Sequence, residues 1–399
     1  AVGPGANTPA DIAFFAEISP FGLGAAVRWV PLLGRRSGQS DHSYWFRGRP
    51  LCVQLPLAKQ RVIERYGSSC TRSVKLSRLT SRCSFVTFTV LWSGSTKRGD
   101  HEMRQNITFR SGQDKCAGWF YLPDEAKDDE KPSLIVMAHG LSGVKEQGLG
   151  EVAEIFSSAG YAVVVFDYRH FGDSTGEPRQ QIFPLDMVED YRNAITWACS
   201  KPNVDADRVG IWGTSMSGAL ATYTATVDPR VRAVAIQVPV IMSPSVRRSL
   251  DPAKWDMLRD MLIADRIARY ETGEVKTIPI VAKGDAPCVL PGEEAHEFFI
   301  GSQEMAPNWR NEMTLESLEK FREFDPASNI EIMSDVAYLM IGGEKEHILP
   351  LDVLQAVFDR VPEPKKMVML PVGHFGVYEE PWLSKATNEA CAWFDAHLK

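Results

Sequence analysis

Short, wholly apolar runs that alternate with helix-forming segments constrain the fold of this chain more than any other feature of its sequence. SLIVMAHG at 133–140 and YAVVVFDYR at 161–169 have the length and composition of strands buried on both faces. Helical segments near 149–159 and 184–199 follow them. The sequence therefore predicts an α/β fold with a mainly parallel central sheet and helices on both faces.

The same alternation runs from Met103 to the end of the chain. The stretch that begins at Met103 has the pattern of a β-hairpin. Further strands are predicted at 208–213, 231–238, 336–343 and 365–371, and further helices after Ser215, at 351–360 and at 382–398. Ligands bind beyond the carboxyl ends of the strands in such sheets, where His139, Ser215, Glu346 and His374 all fall.

Residues 240–330 interrupt this alternation with helical, aromatic-rich sequence. Asp251 followed by Pro252 is a strong helix start, and the helix is predicted to reach Tyr270. A second helix is predicted from Thr314 to Phe324. We expect this segment to be a helical cap over the site-bearing edge, within one domain that spans 103–399.

Residues 1–102 differ from the rest of the chain in charge, because they carry 14 Lys and Arg but only 6 Asp and Glu. No sustained period is present there apart from the alternation in CSFVTFTVLW. We expect an irregular basic extension. Three explanations of it are open: a poorly ordered segment, a targeting leader, or an artefact upstream of a natural start at Met103.

Composition narrows the function classes. The net charge of −7 gives no reason to expect nucleic-acid binding, and no apolar run is long enough to span a membrane. The seven scattered cysteines form no CxxC pair, which predicts neither a disulfide framework nor a zinc site and favours a reducing, cytoplasmic location. Without a P-loop, a dinucleotide fingerprint or a metal constellation, no cofactor is expected.

The stretch VGIWGTSMSGALATY at 209–223 raises the question of function. Its Gly213-Thr214-Ser215-Met216-Ser217-Gly218 segment follows a strand and precedes a helix, the context of a G-x-S-x-G nucleophile turn. Ser217 stands where the motif has its last glycine. Ser215 is therefore either a catalytic nucleophile or an ordinary helix N-cap, and its potential partners favour the nucleophile.

A serine nucleophile needs a base and an acid that orients the base. His374 follows the last predicted strand and is the best-placed base, ahead of His170 and His347. Glu346 follows the strand at 336–343 and is the favoured acid. The neighbouring carboxylates Glu344 and Asp352 remain alternatives.

The backbone N–H groups of Met216 and Leu141 are the expected oxyanion donors, one after the nucleophile and one in the loop after the strand at 133–140. In DYRHFGDSTGEPR, the charged residues Asp167, Arg169 and Asp173 are expected to form a structural ion-pair cluster that braces the site.

From about Met103 to its end, the chain resembles the α/β-hydrolase superfamily. The motifs that carry this resemblance occur in the order MAHGLSGVKE, FDYRHFGDSTGEPR, GTSMSG, GGEKEHILP and GHFGVYEE. WRNEMTLESLEKFREFDP looks like the cap of a subgroup with dienelactone-hydrolase-like enzymes and fungal polyketide transferases. The resemblance implies a Ser215–Glu346–His374 triad with an oxyanion hole at Leu141 and Met216. Glu346 stands where that family usually has aspartate.

Three functions are compatible with these features. The first is a serine hydrolase for an ester or thioester of a hydrophobic acyl chain, in polyketide metabolism. The second is an acyltransferase that moves the same acyl group to an alcohol, and the third is a non-catalytic binding protein on the same fold. The expected partner is a small-molecule acyl substrate, for which delivery by a polyketide synthase is one route.

Overall fold

The computed structural model describes residues 104–123, 131–333 and 335–399, together with the backbone of 14–17 and 28–31. The chain divides into two compact units, Ala1–Gly99 and Asp100–Lys399. In the first, strands β1 (Phe14–Glu17) and β2 (Arg28–Pro31) pair antiparallel. The expected irregular extension otherwise lies outside the described residues, as do the alternating stretch at 83–92 and Met103.

The second unit is built on an eight-stranded sheet. The strands are β3 (Arg104–Ser111), β4 (Asp114–Tyr121), β5 (Ser133–Ala138), β6 (Ala162–Phe166), β7 (Asp205–Thr214), β8 (Val231–Gln237), β11 (Ala337–Gly343) and β12 (Lys365–Leu370). Their order across the sheet is β12-β11-β8-β7-β5-β6-β4-β3. Strands β3 and β4 form an antiparallel hairpin, β4 is antiparallel to β6, and the other neighbours are parallel. The predicted mainly parallel sheet is confirmed.

Helices cover both faces of this sheet. Helices α1 and α9 pack on one face, and α2, α3 and α8 pack on the other. Their bounds are α1 (Leu149–Ser158), α2 (Pro184–Cys199), α3 (Met216–Val227), α8 (Leu351–Arg360) and α9 (Trp382–Leu398). Every residue of β5 is buried, with Val136 on the α2 side and Ile135 on the α1 side, because successive side chains of a strand point to opposite faces.

The segment between β8 and β11, where the cap is expected, contains helices α4 (Pro244–Leu250), α5 (Pro252–Thr272), α6 (Glu293–Gly301) and α7 (Leu315–Glu323) and the short strands β9 (Thr277–Ile278) and β10 (Met313–Thr314). Asp251 caps α5 as predicted, since its side chain accepts a hydrogen bond of 2.9 Å from the Lys254 N–H. Helices α4 and α6 were not predicted, because runs of seven and nine residues are too short to show a clear period.

No helix among the described residues combines the length and the apolar character that crossing a membrane requires. The parallel strands bring three loops to one edge of the sheet. They follow the carboxyl ends of β7, β11 and β12 and carry the three residues predicted as a triad.

Candidate active site

Ser215 occupies a tight turn between β7 and α3. Its backbone has φ 55° and ψ −121°, a left-handed conformation that costs energy for any residue with a side chain. The turn is held by Ser215 N–H, which donates to Gln237 O at 2.9 Å. Gly213 is required, because a Cβ there would lie 2.3 Å from Ser217 O. The backbone therefore has the strained form that a nucleophile turn needs.

Ser215 occupies the N-cap position of helix α3, but its side chain makes no capping hydrogen bond to the helix, so its hydroxyl does not serve as a cap. Its Oγ lies 2.9 Å from His374 Nε2. His374 follows β12 and is almost fully buried. The geometry therefore allows the imidazole to take the hydroxyl proton directly.

The second ring nitrogen of His374 faces Glu346, with 2.7 Å between Nδ1 and Oε2. The other carboxylate oxygen, Oε1, accepts the backbone N–H groups of His347 at 2.9 Å and Ile348 at 2.7 Å. Burial alone raises the pKa of Glu346, but the hydrogen bonds and charge of His374 and the two amides outweigh it and lower that pKa. Glu346 is thus an ionised partner that orients the ring.

The competing candidates lie elsewhere. Glu344 and Asp352 are both exposed to solvent. His347 is exposed and sits near Glu294, and His170 is buried in the loop after β6. Among the sequence-predicted acids and bases, the structure brings Glu346 and His374 to Ser215.

Both expected oxyanion donors border the same site. Met216 is the first residue of α3, so its N–H has no acceptor one turn earlier in the helix. Leu141 lies in the loop of residues 139–148, called here the β5–α1 loop, and lines the pocket with Ser215. A Cβ at Gly140 would lie 3.2 Å from Ser215 Cβ, so glycine keeps the approach to the Ser215 side chain open.

The charged residues after β6 form two clusters, whereas the sequence predicted one. The first surrounds Lys145 of the β5–α1 loop, whose buried Nζ lies 2.8 Å from Asp167 Oδ2, 2.6 Å from Asp173 Oδ2 and 2.7 Å from Glu146 Oε1. In the second, Arg169 Nε donates to Asp190 Oδ1 at 2.8 Å. The sequence could not separate them, because Lys145 and Asp190 are distant in the chain.

Glu146, Asp167 and Asp173 also present carboxylate oxygens close enough together to hold a cation. Lys145 Nζ already lies between them and is hydrogen-bonded or ion-paired to all three. The Lys145 ammonium group therefore compensates the charge of these carboxylates, which indicates that the cluster is a structural brace for the β5–α1 loop.

Ser217, which departs from the nucleophile motif, has a structural explanation. Its buried Oγ lies 2.9 Å from Tyr168 Oη and 2.7 Å from Tyr191 Oη. Tyr191 donates its proton to Trp212 O at 2.9 Å, so it accepts from Ser217, which in turn accepts from Tyr168. The hydroxyl thus completes a buried chain of hydrogen bonds beneath the nucleophile turn, which a glycine could not make.

Ser215 and His374 line a pocket that is partly open to solvent. Four side chains form its aromatic wall, namely Phe298, Phe299, Phe375 and Tyr378. The Phe298 ring lies 5.0 Å from Phe375 and 5.1 Å from Tyr378, as packed aromatic rings do. Phe298 and Phe299 come from the cap helix α6, which was not predicted. The adjacent aromatic pair in HEFFIG was the available signal.

His139 lies at the end of β5 and also lines the pocket. Its Nδ1 is 2.9 Å from Gly140 O, so Nδ1 carries the proton and Nε2 is bare. Burial lowers the pKa of His139 to about 4. The ring is therefore neutral at physiological pH.

Comparison with protein families gives a match over residues 93–376 to the model of X-Pro dipeptidyl-peptidase (S15 family). A thiohydrolase of Aspergillus aculeatus, aneE, is 32% identical over 260 residues, which cover 63% of this chain and 80% of that protein. The polyketide transferase claH of Penicillium crustosum is 26% identical, over 63% of this chain and 84% of that protein.

Among solved structures, DcsB in complex with its substrate analogue is similar with a TM-score of 0.65 and 26% sequence identity. The match covers 73% of this chain and 99% of that one.

Proposed function

The chain belongs to the X-Pro dipeptidyl-peptidase (S15) family, and on that premise we propose a serine hydrolase that cleaves a carboxylic ester or thioester of an apolar acyl group. The protein is an α/β-hydrolase enzyme, as the family and the mainly parallel sheet with its helices indicate. The observation that carries the proposal is the hydrogen-bonded line from Glu346 through His374 to Ser215 beside an apolar pocket.

In this proposal Ser215 Oγ attacks the carbonyl carbon while its proton passes to His374 Nε2. Glu346 stabilises the imidazolium, and the N–H groups of Leu141 and Met216 donate to the oxyanion. When the intermediate collapses, the carbon–sulfur or carbon–oxygen bond breaks and His374 returns the proton to the leaving thiolate or alkoxide. Water then attacks the acyl-serine by the same route and releases the carboxylic acid.

The pocket supports an uncharged acyl group in preference to a peptide. An enzyme that takes two residues from a free N-terminus must neutralise a charged amine. No carboxylate side chain belongs to the pocket lining found in the described part of the chain. The aromatic wall instead offers dispersion contacts and excludes water from an apolar chain.

Acyl transfer is the second candidate, because a relative named as a polyketide transferase covers much of the same chain. The acyl-serine would then react with an alcohol in place of water. A thioester carried by a polyketide synthase is one acyl donor that fits either outcome. That delivery route and the cytoplasmic location stay predictions.

The test is release of thiol or alcohol from a panel of acyl thioesters and esters, with and without a competing alcohol, and with products identified by mass. We expect turnover with apolar acyl groups, labelling of Ser215 by a fluorophosphonate, and loss of both in Ser215→Ala. Free acid at every alcohol concentration indicates a hydrolase, and an ester product indicates a transferase. A wild-type protein that neither turns over nor reacts with the fluorophosphonate would be a binding protein and would overturn the proposal.

A further inference from the structure

A hydrogen-bonded bridge joins the β5–α1 loop to cap helix α6, and we propose that it lets contact between the acyl chain and the aromatic wall raise kcat for the reaction at Ser215. Gln147 and Ser302 are positioning residues in this proposal. It rests on the proposed function, because it concerns the rate of that same reaction.

The bridge has a defined direction at each step. Gln147 Oε1 accepts the Val144 N–H at 3.0 Å, which places the amide nitrogen on the other side. Gln147 Nε2 donates to Ser302 Oγ at 2.7 Å, and Ser302 Oγ donates to Phe299 O at 3.0 Å. A backbone amide of the loop is therefore connected through two side chains to the carbonyl of a residue that lines the pocket.

The loop end of the bridge is a strained turn that needs support. Gly143 N–H donates to Gly140 O at 3.2 Å and closes a turn around Leu141 and Ser142. Ser142 has φ 52°, a conformation that persists in a non-glycine residue only when its surroundings impose it. Because the turn contains the proposed oxyanion donor Leu141, its precision affects the transition state.

Support for this turn comes from two sides. From the sheet, Asp167 Oδ1 accepts the Lys145 N–H at 2.7 Å. From the cap, Gln147 holds the preceding amide, that of Val144. Asn308 also links the cap to this region, but it bonds the carboxylates of Glu146 and Asp173 and not a backbone amide of the loop.

The cap end of the bridge lies where the acyl chain would bind. Ser302 is the C-cap residue of α6, the helix that carries Phe298 and Phe299 of the aromatic wall. A chain that fills the space beside these rings fixes α6, and the bridge transmits that position to the turn around Leu141. Binding energy from a remote part of the substrate then increases kcat, and not affinity alone.

The experiment measures kcat and KM for straight-chain acyl thioesters of increasing length, in the wild type and in Ser302→Ala. We expect kcat of the wild type to rise with chain length. In Ser302→Ala this rise should flatten, with kcat reduced about tenfold for long chains and little changed for the shortest. KM should still fall with chain length, because the aromatic wall is intact.

Two further variants make the result specific. Ser133→Ala is the matched control, since Ser133 is also buried and donates to a backbone carbonyl, that of Leu398, at 2.7 Å. It lies at the opposite end of β5 and should leave the chain-length dependence unchanged. Gln147→Met removes the other half of the bridge and should give the same flattening of kcat, whereas any effect of Gln147 as a pocket-lining residue would appear in KM. The double variant of Gln147 and Ser302 should lose no more kcat than the worse single variant.

A rise of kcat with chain length that persists in Ser302→Ala and Gln147→Met would overturn the bridge proposal, as would an equal loss at every length. If Ser302→Ala does not fold, Gln147→Met supplies the same comparison. Ser215→Ala separates this failure from that of the proposed function. Activity retained in Ser215→Ala refutes the nucleophile itself, whereas its loss leaves only the bridge in question.

Discussion

Two parts of the candidate site are held in place by different means. The proposed triad is positioned by strand ends, with Ser215 fixed by a backbone hydrogen bond to Gln237 and Glu346 by two backbone amides. The β5–α1 loop is positioned by side chains, through Asp167 on the sheet side and Gln147 on the cap side. The comparison teaches that the proposed reacting groups are held by the sheet, whereas the loop that carries the proposed oxyanion donor Leu141 is also held from the cap.

The largest effect is expected from Glu346→Gln, which breaks the triad and leaves the loop intact. An amide cannot stabilise the imidazolium, so kcat/KM should fall about 10³- to 10⁴-fold while the fold is retained. Steady-state kinetics and thermal unfolding measure the two quantities. Glu344→Gln, which removes an exposed neighbouring carboxylate, should remain close to wild type. Equal losses in the two variants would reopen the choice of acid.

Lys145→Met tests the support of the β5–α1 loop. It leaves Asp167 buried without its counter-charge, so the free energy of unfolding should fall by about 3 kcal/mol, and kcat should fall with it. Urea unfolding and kinetics test both. Arg169→Met is the control, because it breaks the separate pair with Asp190. It should reduce stability with a smaller loss of kcat. A Lys145 variant that is unstable but fully active would show that the loop does not need this brace.

Ser217→Ala tests the layer beneath the triad. Breaking the hydrogen bonds to Tyr168 and Tyr191 should lower the free energy of unfolding by about 1 to 3 kcal/mol, because buried hydroxyls lose a partner. Turnover should stay within a few-fold of wild type, since Ser217 Oγ is hydrogen-bonded to the two tyrosines and to neither Ser215 nor His374. Urea unfolding checks the first expectation, and a large loss of kcat would contradict the second.

A comparable change in stability is expected from pH, through His139 at the start of the β5–α1 loop. Because the folded pKa of His139 is about 4, below its ordinary value of about 6.5, the unfolded chain binds this proton more readily. The stability contributed by the neutral ring is thus complete above pH 6.5 and is lost as the pH falls towards 4. From pH 7 to pH 5 the loss is about 2 kcal/mol.

His139→Asn keeps a donor for Gly140 O but does not titrate. Its melting temperature should therefore fall less than that of the wild type between pH 7 and pH 5. His347→Asn, at an exposed histidine, should follow the wild type. An unchanged pH dependence in His139→Asn would assign the acid sensitivity to other groups.

Much of the site could be predicted because strand ends are visible in the sequence. The apolar run of β7 and the small residues around Ser215 predict a strand–turn–helix, and His374 and Glu346 each follow an apolar run. Carboxyl ends of parallel strands meet at one edge, so residues far apart in sequence were expected at one site before any distance was known.

Outside the segment between β8 and β11, the sequence by itself determined the order of strands and helices, the mainly parallel sheet and which residue types reach its edge, because burial on both faces leaves a local apolar pattern in central strands such as β5 and β6. The tertiary structure alone decided that Lys145 pairs with Asp167 while Arg169 pairs with Asp190, that Ser217 joins two tyrosines, and that Gln147 reaches Ser302. Such contacts join side chains across distant segments. They are fixed by how the helices and the cap pack, and no local periodicity records that packing.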